Sequence, residues 1–191
     1  MKLPVDQKKV CEIDKIIIDN ILKNTVEEDW FIDNYRNIAG NMHDTNSIPI
    51  FHSIACGQDP DALLTVEKRL LFEKFYPLIL PILDKLKNYY DYNYHTSFLA
   101  RLNPYGTIAE HVDSGDFLTK CHRIHVPIKT NKNVTYWINN KPYYWKVGNA
   151  YEFDNLNQHR VNNNSNQERI HLILNLYNLS EEELSTLNKL N

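Results

Sequence analysis

Four short stretches of the 191-residue chain hold side chains able to do chemistry together: His111-Val112-Asp113, Arg123-Ile124-His125, His159-Arg160-Val161-Asn162 and Arg169-Ile170-His171. On extended backbone the side chains alternate with a period of two, so a histidine and a carboxylate one residue apart leave a strand on the same side. His111 and Asp113 can therefore grip one ion together, and His159 from a distant strand would complete a two-histidine, one-carboxylate set. Such a triad covers one face of an octahedral ion and leaves the opposite positions open for an organic co-substrate and O2, an arrangement that suits non-haem Fe(II). A lone H-x-D is usually accidental, so the weight rests on the ordered series rather than on its first member.

The same alternation groups the other polar residues. Arg123 and His125 share a face opposed to Ile124, Val126 and Ile128, and Arg169 and His171 oppose Ile170, Leu172, Leu174 and Leu176. A half-buried strand ordinarily turns its polar face to water, but in a barrel whose mouth is a site that face can look inward at an anionic ligand. A guanidinium suits such a ligand because its fork matches a carboxylate and stays charged in a dry site. His122 should face away from the site by the same parity.

These residues need strands to carry them, and the second half of the chain supplies the pattern. Segments rich in β-branched and aromatic residues over 95–103, 107–112, 122–129, 133–139, 142–146, 150–154, 159–162 and 169–177 are separated by turn signals such as NPYG, DSGD, TNKN and INNKP. The first half reads as helical support. Val10, Ile13, Ile17 and Ile21 predict an amphipathic helix over 6–24, and Leu70, Leu71, Phe75, Leu78, Ile82 and Leu86 predict a second helical stretch over 66–90. Pro77 and Pro81 interrupt it, which predicts two helices or one kinked one. HDTNSIPIF, 43–51, reads as a turn entering an extended run. The expectation is a mainly β fold with N-terminal helices: a double-stranded β-helix (jelly roll, cupin-like) buttressed by helices. The length fits one domain over 1–191, with 1–93 as helical support and substrate-side elements, 94–178 as the jelly-roll core and 179–191 as a tail or short helix.

Composition excludes several classes. With 42% hydrophobic and 24% charged residues the chain can bury a core and is not a disordered polymer. A net charge of −3 without a basic tract gives no reason to expect nucleic acid or an anionic membrane as partner. Cys11, Cys56 and Cys121 lack metal-ligand or paired-framework spacing and read as reduced thiols, which, with no apolar leader at the N-terminus, points to the cytoplasm.

The run RLNPYGTIAEHVDSGD, followed by RIHVPIKTN, WKVGNAYEFDN, HRVNN and RIHLILNL, resembles the aspartyl/asparaginyl β-hydroxylase-like branch of the Fe(II)/2-oxoglutarate-dependent oxygenases. The resemblance implies His111, Asp113 and His159 as ligands of Fe(II). It implies Arg169, ten residues beyond His159, as the grip on the distal carboxylate of 2-oxoglutarate, with Arg123 and His125 as the R-x-H element that also contacts this co-substrate. In the resembled family a similar segment to HDTNSIPIF lies near the mouth of the site, which makes Arg36 and His43 candidates for substrate contact. Asp113 favours hydroxylation over halogenation, since superfamily halogenases need that carboxylate absent. The implied reaction consumes O2 and 2-oxoglutarate, releases succinate and CO2, and hydroxylates an unactivated C–H bond. The substrate is expected to be an amino acid, free or as an Asp/Asn-type residue in a peptide. Two other readings stay open on the residues alone: a jelly-roll module that binds a small ligand or peptide without turnover, and a metal-dependent cupin hydrolase or isomerase.

Overall fold

The computed structural model describes residues 3–32, 42–51, 66–115 and 118–188. Among these residues ten strands and three helices follow one another. They are β1 (Gln7–Glu12), α1 (Lys15–Asn24), β2 (Thr45–Phe51), α2 (Val66–Leu86), β3 (Tyr94–Leu102), β4 (Thr107–His111), β5 (His122–Lys129), β6 (Val134–Ile138), β7 (Lys141–Tyr143), β8 (Asn149–Phe153), β9 (His159–Asn163), β10 (Arg169–Tyr177) and α3 (Glu181–Asn188), with a 3₁₀ turn at Glu27–Phe31. Six strands form one sheet in the order β1-β8-β5-β10-β3-β2, and four form a second in the order β4-β9-β6-β7. Every pairing within them is antiparallel. The two sheets face each other as a jelly roll, with α1 and α2 on the outside of the larger one.

Two cores follow from the parity of the strands. Ile124, Val126, Leu172, Leu174 and Leu176 point from the larger sheet at Ile18 and Ile21 of α1 and at Phe75, Ile79 and Ile82 of α2. The opposite face of that sheet sends Leu102, Tyr151 and Phe153 between the sheets to meet Ile108, Val134, Tyr136, Ile138 and Val161. Each fully buried aliphatic or aromatic side chain contributes about 1.5–3 kcal/mol. A truncation such as Phe75→Ala in the helix-side core costs about 3–5 kcal/mol.

The N-terminal expectation needs correction. Helix α1 begins only at Lys15, and residues 7–12 are a strand, β1, hydrogen-bonded along β8. Val10 and Ile13 fit a helical period with Ile17 and Ile21, but Cys11 points inward while Lys8 and Lys9 remain outside. The ladder offered by β8 outweighs a weak local period. Helix α2, in contrast, runs unbroken through both prolines. Pro77 and Pro81 stand on its exposed side, and the carbonyls they leave without an intrahelical donor belong to Glu73 and Pro77, themselves exposed. Segment 142–146 is a strand only as far as Tyr143, and Trp145 turns inward after it to stack on Tyr136. Cys11 and Cys121 are free and buried, and Cys56 lies outside the described residues.

Candidate active site

Strands β4 and β9 bring the two histidines of the triad side by side. His111 is paired across the ladder with His159, so their rings leave the same face of the smaller sheet with centroids 4.2 Å apart. The placement depends on an irregularity. Between Ile108 and His111 the register of β4 slips by one residue against β9. Strict alternation would put Ile108 and Glu110 on one face and His111 on the other; the bulge resets the phase, so Ile108 and His111 both face inward. The chain stays extended beyond β4, held by the Asp113 amide donating to the Asn155 carbonyl at 3.1 Å, and Asp113 follows His111 to the same side.

His111, Asp113 and His159 offer ligand atoms that all lie within 4.8 Å of one another. Each imidazole places Nδ1 2.8 Å from a backbone carbonyl, His111 on Ala109 and His159 on Asn157. A carbonyl only accepts, so Nδ1 carries the proton and the neutral ring presents the lone pair of Nε2. Those Nε2 atoms face Asp113 Oδ1 at 3.6 and 3.9 Å. Three lone pairs converging in a buried corner call for a positive charge between them, either a proton on one ring or an ion that binds all three. The donor set, two imidazoles and one carboxylate, fits a divalent first-row metal, and the Nδ1 anchors are the outer contacts that orient such ligands.

The electrostatics favour the same state. Burial would raise the pKa of Asp113, but the Arg123 guanidinium beside it more than offsets this and holds the carboxyl well below the usual carboxylate range. Arg123 Nε lies 3.1 Å from Asp113 Oδ2, so one carboxylate oxygen faces the arginine and the other faces the imidazoles. Burial pushes His159 down despite the nearby Asp113, keeping its ring neutral and available as a ligand.

A cavity opens from the triad, with Arg123, His125, Arg169 and Tyr136 among its polar and aromatic lining and Met42, Ile108 and Ile173 among its apolar walls. Arg169, the first residue of β10, is only 2% exposed, and its guanidinium carbon sits 5.0 Å from the centre of the Tyr136 ring. That ring is stacked on Trp145 at 4.0 Å, so the face under the cation is rigid. His125 and His171 face each other through Nδ1 at 3.4 Å, and the Tyr136 hydroxyl lies 3.3 Å from His171 Nδ1. Burial first, and then the charges of Arg123 and Arg169 for His125 and of Arg169 for His171, push both rings well below the ordinary histidine value. They stay neutral and add hydrogen-bonding capacity without further positive charge.

The structure thus brings His111, Asp113, His159, Arg123, His125 and Arg169 to one cavity. His43 is exposed in the turn before β2 and is absent from the lining, where its neighbour Met42 takes part; Arg36 lies outside the described residues. His122 lies on the outer face, where its Nδ1 meets Glu152 at 2.6 Å. Asn175 and Thr96 escaped sequence reasoning. Asn175 had a legible signal, since it continues the inward series 169, 171, 173, 175 as a polar residue within an apolar strand.

Residues 65–178, more than half of the chain, match the sequence model of the aspartyl/asparaginyl β-hydroxylase family. The chain belongs to that family. As one of these hydroxylases it is an oxygenase, and the triad with Arg123, His125 and Arg169 lies within the matched span. No curated protein matches this hydroxylase in sequence. Its fold is similar to that of a viral collagen prolyl hydroxylase from Paramecium bursaria Chlorella virus-1, in complex with 2OG, with a TM-score of 0.54 at 12% identity over 93% of this chain and 98% of that one. An oxidoreductase of the 2OG-Fe(II) oxygenase family from Burkholderia pseudomallei is similar at a TM-score of 0.53 and 10% identity, over 90% of this chain and 84% of that one. A Pseudomonas putida prolyl-4-hydroxylase is similar at a TM-score of 0.50 and 10% identity, over 93% and 95% of the two chains. These likenesses are of fold.

Proposed function

We propose that this hydroxylase is an Fe(II)- and 2-oxoglutarate-dependent dioxygenase that hydroxylates an unactivated C–H bond of an amino acid, free or as an Asp/Asn-type residue in a peptide. The observation that carries the reading is the convergence of His111 Nε2, Asp113 Oδ1 and His159 Nε2, with both Nδ1 protons fixed on carbonyls, at one end of a cavity that also holds two buried arginines. These three residues would hold Fe(II), which together with 2-oxoglutarate supplies the O2-dependent oxidising chemistry, releasing succinate and CO2 and leaving one oxygen atom on the substrate.

The chain's own residues bind and orient. Arg169 meets the distal carboxylate of the co-substrate with a guanidinium already desolvated and braced on Tyr136. His125, buried and neutral, offers a hydrogen bond without another charge. Met42, Ile108 and Ile173 keep water from the reacting carbon. The amino-acid substrate is supported by the family's description.

The test combines binding with turnover. Fe(II) under anaerobic conditions, or Mn(II) in its place, is expected to raise the melting temperature, and 2-oxoglutarate to raise it further. Arg169→Ala should lose the second increment and keep the first. Turnover of 2-oxoglutarate against amino acids and short peptides should yield succinate and a product heavier by one oxygen. Wild-type protein that binds neither metal nor 2-oxoglutarate refutes the proposal; binding of both without succinate from any substrate supports a ligand-binding module instead.

A further inference from the structure

Asn175 lies in the last third of β10 with no exposed surface, flanked along the strand by Leu174 and Leu176. Both polar atoms of its side chain are engaged. Oδ1 accepts from Arg123 Nη1 at 2.9 Å, and Nδ2 donates to Thr96 Oγ1 at 2.9 Å. Arginine has only donors, so the amide oxygen must face it and the amide nitrogen must face the threonine; chemistry fixes the orientation. The sheet fixes the spacing, because Asn175 is the ladder partner of Arg123 on one side and of Thr96 on the other. The far side of the same guanidinium presents Nε to Asp113 Oδ2 at 3.1 Å. A row of polar side chains thus crosses the inner face of the larger sheet, Thr96 to Asn175 to Arg123, and ends on the carboxylate of the triad.

We infer that Asn175 is a positioning residue for the metal site, acting through Arg123 to hold Asp113 with Oδ2 on the arginine and Oδ1 alone directed at the ion. This rests on the reading of His111, Asp113 and His159 as metal ligands. Asp113 needs such a hold. It lies beyond the end of β4, outside the ladder, and a carboxylate left free there can turn either or both oxygens to a cation. One oxygen kept on Arg123 leaves a coordination position for co-substrate and O2. Arg123 in turn is a long side chain with many rotamers, and a strand-borne acceptor at Nη1 selects one of them. Cys121, whose Sγ lies 3.8 Å from Asn175 Oδ1, closes the remaining side of the amide.

The experiment measures Mn(II) affinity by electron paramagnetic resonance, and 2-oxoglutarate affinity at saturating Mn(II), in wild type, Asn175→Leu and Asn175→Asp. Asn175→Leu removes the acceptor in a strand already rich in leucine and should lower Mn(II) affinity by about 10- to 100-fold, the usual effect of losing a contact that orients a ligand. Asn175→Asp still accepts from Arg123 and should bind Mn(II) at least as tightly as wild type. If Asn175→Leu does not fold, Thr96→Val stands in: it leaves Asn175 in place but removes the oxygen that orients its amide, and should weaken Mn(II) by several-fold. Wild-type Mn(II) affinity in a folded Asn175→Leu, or in Thr96→Val where that variant replaces it, overturns the inference, as does an Asn175→Asp that loses as much affinity as Asn175→Leu. Failure of wild type to bind Mn(II) would instead remove the metal-site reading itself, so the two failures are distinct.

Discussion

His95 ties the fold to pH. It lies on β3, its ring stacked on Phe51 at 4.9 Å and on Tyr76 at 5.9 Å, with Nε2 buried and without a hydrogen-bond partner among the described residues. Burial lowers its pKa from 6.5 to about 4. The folded protein therefore holds a neutral ring where the unfolded chain would take up a proton. The sign follows: stability is complete above pH 6.5 and is lost as the pH falls from 6.5 towards 4. A shift of about 2.5 pH units at 1.36 kcal/mol each bounds the loss at about 3.4 kcal/mol, of which about 2 kcal/mol falls between pH 7.5 and 5. Stopping at pH 5 avoids most of the loss from carboxylates such as Glu152, whose pKa is lowered in the folded state and whose contribution fades below pH 4.5. His95→Phe keeps the aromatic stack and removes the titration. Urea denaturation of both proteins at pH 7.5 and 5 should show wild type losing about 2 kcal/mol more than the variant. The buried His125 and His171 act in both and cancel in the difference. Parallel losses in the two proteins would refute the assignment.

Glu152 is 2% exposed and meets His122, Tyr90 and Lys8 at 2.6, 2.9 and 2.9 Å. Glu152→Ala should cost about 3 kcal/mol in denaturant melts and leave 2-oxoglutarate affinity unchanged, because the cluster lies outside the sheet sandwich. Gly106→Ala would put a Cβ 2.9 Å from Asp44 Cβ and 3.0 Å from the Asn103 carbonyl oxygen at the entry to β4. It should destabilise by about 1–3 kcal/mol and weaken metal binding with it, read by thermal melts with and without Mn(II). Tyr136→Leu takes away the aromatic face under Arg169 and should weaken 2-oxoglutarate about tenfold, within the ~2 kcal/mol of a desolvated cation–π contact. Tyr136→Phe keeps the face and should stay close to wild type in the same titration.

The period-two pattern of RIHVPI and RIHLILNL made the inward and outward faces of β5 and β10 legible, because those strands lie in the middle of the larger sheet and keep their alternation throughout the residues that matter. The same pattern failed to foretell two things. The bulge in β4 leaves no mark in TIAEH, since the extra residue is defined by its register against β9, and β9 lies some fifty positions away. β1 carries a helical signal because Val10 and Ile13 fit a period of 3.6 with residues that are helical, while the partner that makes it a strand, β8, is remote in sequence. Asn175 carried a readable parity, but its partners Arg123 and Thr96 are neighbours only once the sheet is assembled. Helix α2 kept its prolines because both stand on the water side, a fact fixed by packing rather than by local sequence.

Among the described residues β4 has a sheet neighbour on one flank only, β9. Two of the three candidate ligands ride at or just beyond the end of this edge strand, and the third stands on β9 itself. An ion held by all three would act as a rivet, fastening a selvedge that backbone hydrogen bonds secure on a single side. Amide deuterium uptake over 107–113 should therefore slow when metal is added, because the strand that carries two of the ligands would be pinned from the inside as well as along its ladder.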